Sequence, residues 1–128
     1  MSWNDLRNGR VSLADGEYFV TFATHGRERV FADFDLACTF CRQIALNEQQ
    51  CGCCWLAWVL MPDHFHGLLR LGAGDTAASL SQVVGRLKGA SARLVNVRRG
   101  CSGRLWQSAF YDRRLRREED RLAVVRYI

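Results

Sequence analysis

Two histidines two residues apart, His64 and His66, and a tyrosine near the end of the sequence, Tyr127, are the residues of this 128-residue chain whose types and spacing could do chemistry. The histidines follow Trp58-Val59-Leu60-Met61-Pro62-Asp63, which reads as an apolar strand running into a Pro-Asp turn. In a strand, positions i and i+2 share a face, so the two imidazoles stand side by side while Phe65 turns to the other face. Two neutral imidazoles are a binding pair for a divalent ion. Two donors do not make a tight site, so a third is expected from elsewhere. The plain alternative is a pair of surface or satisfied core histidines. Tyr127 belongs to a helix with apolar residues at Leu122 and Val125. At about 100° per residue it points roughly 140–160° away from them, which sets it apart from a core tyrosine. A phenol beside a divalent metal could attack a phosphodiester and leave a covalent phosphotyrosine. An ordinary amphipathic surface tyrosine is the competing reading. Tyr111 and Tyr18 are rival nucleophiles, both expected in strands, where aromatic residues are favoured for packing.

Six cysteines offer a second kind of chemistry: Cys38 and Cys41, the cluster Cys51, Cys53 and Cys54, and Cys101. Residues Met1 to Arg10 are polar, with no apolar signal segment, so a disulfide framework is not expected and a cytoplasmic protein is the natural reading. A structural zinc site is the sharper alternative. Against it, Cys38 and Cys41 fall on the expected apolar stripe of a helix (Phe34, Ala37, Cys38, Cys41, Ile44, Ala45), where a reduced thiol is a small core residue.

The elements that must position these groups follow from periodicity and breakers. Glu17 to Thr24 alternates as a strand. A helix is expected from about Asp33 to Glu48, ended by Gly52. Strands are expected at about Cys54 to Leu60 and His64 to Leu71. Gly72-Ala73-Gly74 ends the latter. A long helix runs from about Thr76 to Val97, capped by Asp75 or Thr76, with Leu80, Val83, Val84, Leu87, Ser91 and Leu94 as its buried stripe. Gly85 and Gly89 suggest close packing on the sheet there. A short fourth strand is expected at about Leu105 to Tyr111. A last helix begins near Arg116, with Glu118, Glu119 and Asp120 in its first turns, where acids complement the dipole. The order is βαββαβ plus a final helix: an α+β, ferredoxin-like sandwich, its antiparallel sheet carrying two long helices on one face. Phe65, Gly67, Leu69 and Leu71 belong on that side, and His64, His66, Leu68 and Arg70 on the other.

Length and patterning allow one domain, residues 1–128, with no internal repeat or linker. No apolar run approaches the roughly 18 residues of a membrane span. Charge is uneven. Residues 1–85 hold 6 Lys/Arg and 9 Asp/Glu, a net of −3, and residues 86–128 hold 12 and 4, a net of +8. A basic C-terminal third points to a polyanion, most simply nucleic acid, against the blander reading of a solvated helix face.

Met61-Pro62-Asp63-His64-Phe65-His66-Gly67 resembles the His-hydrophobic-His signature of the HUH single-tyrosine transposases. Other segments are similar to the REP-associated tyrosine transposases of bacteria: Leu87-Lys88-Gly89, Leu105-Trp106-Gln107, Phe110-Tyr111-Asp112-Arg113, and Glu118-Glu119-Asp120 leading into Arg126-Tyr127-Ile128. The resemblance covers about residues 16 to 128. It implies His64 and His66 as ligands of Mg²⁺ or Mn²⁺ and Tyr127 as the nucleophile. The implied substrate is single-stranded DNA beside a hairpin, cut to a 5′-phosphotyrosine and a free 3′-hydroxyl. Lys88, Arg86 and Arg93 of the long helix, with Arg113 and Arg114, would contact nucleic acid. The family usually continues past the tyrosine through an Asn-Pro segment, with a third metal ligand one helical turn on. The expectation is therefore a domain truncated at its C-terminus, with a third ligand beyond Ile128 and weak or no cleavage by residues 1–128 alone. A non-cleaving hairpin-binding module and a small zinc-binding domain using the cysteines with His64 or His66 are the alternatives. Oligomeric state is open between monomer and homodimer.

Overall fold

The computed structural model describes residues 16–116 and 118–128. Four strands, β1 (Glu17–Ala23), β2 (Cys54–Met61), β3 (His64–Arg70) and β4 (Tyr111–Leu115), form one antiparallel sheet in the order β2-β3-β1-β4. The helices are α1 (Phe34–Cys51), α2 (Leu80–Arg99) and α3 (Glu118–Tyr127). This is the βαββαβ arrangement expected of a ferredoxin-like sandwich, with the histidine strand β3 in the interior of the sheet.

The side-chain alternation of β1 and β3 divides the core in two. Tyr18, Val20 and Phe22 of β1 and Phe65 and Leu69 of β3 are buried in the large cluster shared with the long helices, through Phe40 and Ile44 of α1 and Leu80, Val83, Val84 and Leu87 of α2. On the opposite face Leu68, Leu115 and Val124 form a smaller cluster with Phe19, Leu56 and Ile128 packed against it, and this docks α3. Gly67 is fixed by the larger core. A Cβ there would stand 2.7 Å from the Trp55 ring and 2.9 Å from the Phe65 ring. Trp55 in turn donates its indole N–H to Asn47 Oδ1 at 2.8 Å, and Asn47 donates to Val83 O at 3.1 Å, tying β2 to both long helices.

Helix ends follow local chemistry. Asp33 caps α1 by accepting from the backbone N–H groups of Asp35 and Leu36, and Gly52 closes it in the left-handed conformation. The cap of α2 is Ser79, not Asp75 or Thr76. Its hydroxyl and the Gln82 side chain form a reciprocal capping box, which starts the helix at Leu80.

Five other expectations need correction. Phe34 is 79% exposed and Ala45 is exposed, while Thr39, Phe40, Asn47 and Cys51 are buried. The buried face of α1 is rotated to include Asn47, polar by type but satisfied inside by Trp55 and Val83. In α2, Val95 rather than Leu94 is buried, and a Cβ on Gly85 or Gly89 would meet nothing within 4 Å, so neither glycine marks a close approach. The fourth strand is Tyr111–Leu115, later than the Leu105–Tyr111 segment. Trp106 makes only an isolated bridge to Thr24; its ring packs edge-on to Phe22 and stacks on Phe31, and its N–H donates to Ser91 Oγ. The apolar residues of 105–110 serve the core rather than a ladder, and the charged Tyr-Asp-Arg-Arg-Leu segment forms the edge strand. Lastly, Leu122 and Val125 of α3 are exposed, and Val124 is the buried residue among those described.

Candidate active site

His64 and His66 project from the face of β3 opposite the long helices, their ring centroids 4.5 Å apart and the rings nearly perpendicular. The tight turn before them is pinned from behind. Thr24 donates its backbone N–H to Asp63 O at 2.9 Å, its hydroxyl lies 2.7 Å from Glu28 O and 3.1 Å from Asp63 O, and Phe31 N–H donates to Pro62 O at 2.9 Å. The imidazoles therefore follow directly on a turn tied to Thr24 and Phe31.

Each ring is oriented through Nδ1. Asp63 Oδ1 lies 2.7 Å from His64 Nδ1. An ionised carboxylate only accepts, so it selects the tautomer with the proton on Nδ1 and a lone pair on Nε2. Asp63 is itself held by Arg27, whose Nε donates to Oδ2 at 3.0 Å. The hydrogen bond from His64, followed by that from Arg27, keeps the Asp63 carboxyl below its usual range although burial opposes them. Arg27 has a φ of 55°, an uncommon conformation for a residue with a side chain, stabilised here where the guanidinium meets Asp63. His66 Nδ1 lies 2.9 Å from Thr21 Oγ1, its register partner on β1. The hydroxyl accepts when Nδ1 carries the proton, again leaving Nε2 bare. Burial, and after it the nearby His64 and Arg27, lower the His66 pKa, so the ring favours its neutral, lone-pair-bearing form. Phe19 stacks on it, with rings 12° from parallel. With both Nδ1 atoms engaged, the Nε2 atoms are the ring nitrogens left over, and with the protons on Nδ1 they are a donor pair suited to a divalent cation. Among the described residues no group of three or more His, Cys, Asp and Glu could hold a metal.

Tyr127 lies on the same face. Its ring centroid is 5.7 Å from His66 and 6.0 Å from Phe19, in edge-on geometry, and the residue is 70% exposed. It approaches the histidines because it follows the buried Val124 by three residues, so both lie on the sheet-facing side of α3. The exposed Leu122 and Val125 point the other way. The expectation that Tyr127 avoids the Leu122/Val125 stripe holds, but that stripe faces outward. Arg121 fixes the helix with a two-pronged ion pair to Glu17 at the start of β1, Nε to Oε1 at 2.7 Å. That hydrogen bond, assisted by the charges of Arg121 and Arg70, holds the Glu17 carboxyl below its ordinary range. Of the rival tyrosines, Tyr18 is buried on the helix side, whereas Tyr111 stands on the histidine face opposite Thr21 and is 37% exposed.

The basic residues divide by surface. Arg113 lies beside Tyr127 on the histidine face, in a cleft also lined by Phe19 and Tyr111. Arg114, next along the edge strand, is exposed with the opposite alternation. Arg86 and Arg93 flank a groove between α1 and α2, on the far side of the sheet. Lys88 is committed within the protein: its ammonium donates to Gln107 O at 2.7 Å and Ala109 O at 3.3 Å and lies 5.7 Å from the centre of the Phe22 ring. It holds the 105–110 segment on α2 rather than standing ready for a phosphate. The cysteines are all free thiols. Burial, with Cys51 and Glu48 nearby, pushes the Cys53 thiol up to about 12, so in the metal-free protein it is held as the thiol.

Sequence reasoning missed Thr21, Asp63 as an orienting group, and the Glu17–Arg121 pair. Asp63 was open to detection as a carboxylate adjacent to a candidate ligand. Thr21 and Glu17 depended on strand register and helix docking.

The family described as "Transposase IS200 like" matches residues 12–128. A REP-associated tyrosine transposase, solved bound to a REP hairpin, superposes with a TM-score of 0.76 at 22% identity, covering 93% of this chain and 67% of that one. A protein of Deinococcus radiodurans proposed as a transposase superposes with a TM-score of 0.65 at 27% identity, covering 93% and 92%. No curated protein matches.

Proposed function

From the premise that this chain belongs to the IS200-like transposase family, we propose that it cleaves and rejoins single-stranded DNA beside a hairpin, with Tyr127 as nucleophile and His64 and His66 as metal ligands. The single observation that carries this reading is the convergence of Tyr127 on the oriented histidine pair, with ring centroids 5.7 Å apart. The hairpin bound by the REP-associated relative supports the choice of substrate.

Tyr127 Oη attacks the scissile phosphorus, the new O–P bond forms, and the bond to the 3′-oxygen breaks. The phenolic proton leaves to solvent and the departing 3′-oxygen takes up a proton. The 5′-phosphate remains on the tyrosine, keeping a phosphodiester for rejoining by reversal. Mg²⁺ or Mn²⁺ held by the two Nε2 atoms would polarise the phosphoryl oxygen and offset the developing charge. Thr21 and Asp63 keep both rings turned for that task, and Glu17 with Arg121 keeps the tyrosine helix on the sheet. The exposure of Tyr127 leaves room for a strand to enter. A bacterial cytoplasm is the proposed setting, consistent with the absence, among the described residues, of a helix long and apolar enough to cross a membrane.

The test is a denaturant-resistant protein–DNA adduct, formed from single-stranded hairpin oligonucleotides and Mn²⁺. In a version extended past Ile128 the adduct is expected with the wild-type residues and with Tyr111→Phe, and is lost in Tyr127→Phe and His64→Ala, while residues 1–128 alone give little or none. An adduct that survives Tyr127→Phe overturns the nucleophile. Specific hairpin binding with no adduct, also in a version extended past Ile128, would favour the non-cleaving module.

A further inference from the structure

Beside Tyr127 lies a cleft of about 240 Å³ between α3 and the β1–β4 edge of the sheet, lined by Phe19, Tyr111, Arg113, Ala123, Val124 and Tyr127. Three of its six lining residues are aromatic, and they come from β1, β4 and α3. Phe19 also stacks on His66, so the cleft shares a wall with the histidine pair. Its floor is the buried Val124. At the rim stands Arg113, exposed and absent from every ion pair among the described residues.

An apolar slot walled by aromatic rings, with one guanidinium at its mouth, matches an unstacked nucleobase whose phosphate lies at the rim. Aromatic faces accept any base, and arginine pairs with phosphate or stacks in its own right. A base flanking a cleaved phosphate has no duplex neighbour to stack on, and a strand whose phosphate reaches Tyr127 brings its adjoining base to this opening. The geometry points to a nucleobase pocket: the cleft takes one unpaired base next to the scissile phosphate, with Tyr111 as the stacking platform and Arg113 on the backbone. Tyr111 thereby has a function as a positioning residue and not as the nucleophile. This inference rests on the proposed strand-cleaving function.

The test uses cleavage-blocked Tyr127→Phe protein, which keeps the ring. The probe is a hairpin oligonucleotide with a short oligothymidylate flank carrying one 2-aminopurine, moved along the flank position by position. Anisotropy of a dye on the hairpin reports binding, and 2-aminopurine emission reports stacking. One position is expected to be quenched on binding. Adding Tyr111→Leu, which removes the ring but keeps an apolar side chain, restores the emission and weakens retention of the flank roughly fivefold or more, the lower end of the stacking contribution per base. Adding Ala123→Leu, which fills the slot from an exposed helix position, does the same without touching the sheet. Binding with quenching at no position, or quenching unchanged in both variants, overturns the pocket and leaves the function standing. Absence of any binding overturns both.

Discussion

Orientation of the imidazoles is decided by two neighbouring side chains. Asp63 fixes the tautomer of His64 at 2.7 Å, and Thr21 reaches Nδ1 of His66 at 2.9 Å. Removing such partners from a metal-bound histidine costs about 10–100-fold in affinity. Asp63→Ala and Thr21→Val are therefore expected to weaken Mn²⁺ binding by about that range while the fold is retained. Mn²⁺ titration followed by electron paramagnetic resonance reads this without any cleavage. Nitrogen chemical shifts of His64 should then show the two tautomers mixing in Asp63→Ala. Unchanged affinity and shifts would reduce Asp63 to a turn residue.

Helix α3 carries Tyr127, the proposed nucleophile, but buries little, since Val124 is its one buried residue among those described. Its docking relies on the small Leu68–Leu115–Val124 cluster and on Arg121 paired with Glu17. Because the Glu17 carboxyl is depressed in the folded state, its stabilising contribution is complete above the ordinary carboxylate range and is lost as pH falls through the lowered value. The pair is partly exposed, so the contribution is roughly 1 kcal/mol or less. Amide hydrogen exchange in α3 should accelerate on acidification in wild type. Glu17→Gln should show fast exchange already at neutral pH, with β1 and β3 unaffected. An α3 equally protected in both would sink the docking role. Strand β3 makes a different demand. Gly67→Ala sets a methyl 2.7 Å from the Trp55 ring, which is locked by its bond to Asn47. Overpacking of this kind costs about 1–3 kcal/mol. Thermal unfolding should show a lower Tm, and an unchanged Tm would mean the indole can give way.

Across the whole molecule the sheet separates two basic surfaces. The histidine face carries Arg113, and the groove between α1 and α2 carries Arg86 and Arg93. An arginine that holds a distant phosphate adds binding equally to ground and transition states, and it does not speed the chemical step. The Arg86→Ala, Arg93→Ala pair is thus expected to weaken hairpin binding and to flatten its salt dependence by about one unit of slope for each phosphate left unneutralised. Single-turnover cleavage at saturating protein should be unchanged. A slower cut in the saturated complex would show that the far groove communicates with the tyrosine.

The local pattern alone determined the strand–turn–strand that presents His64 and His66 on one face, the order of elements, and the side of the sheet to which Phe65 and Leu69 belong. These are short-range consequences of alternation, turn residues and helix breakers. Tertiary structure decided what lies opposite: that Thr21 meets His66, that Glu17 meets Arg121, that Asn47 is satisfied inside, and that Trp106 is spent on the core so that Tyr111–Leu115 becomes the edge strand. It also turned Val124 inward in place of Leu122 and Val125, which brought Tyr127 within 5.7 Å of His66. Each of these pairings joins residues far apart in the chain. A helix with weak amphipathicity has no intrinsic inner face, and a strand has no intrinsic partner, until packing against the rest of the molecule selects one.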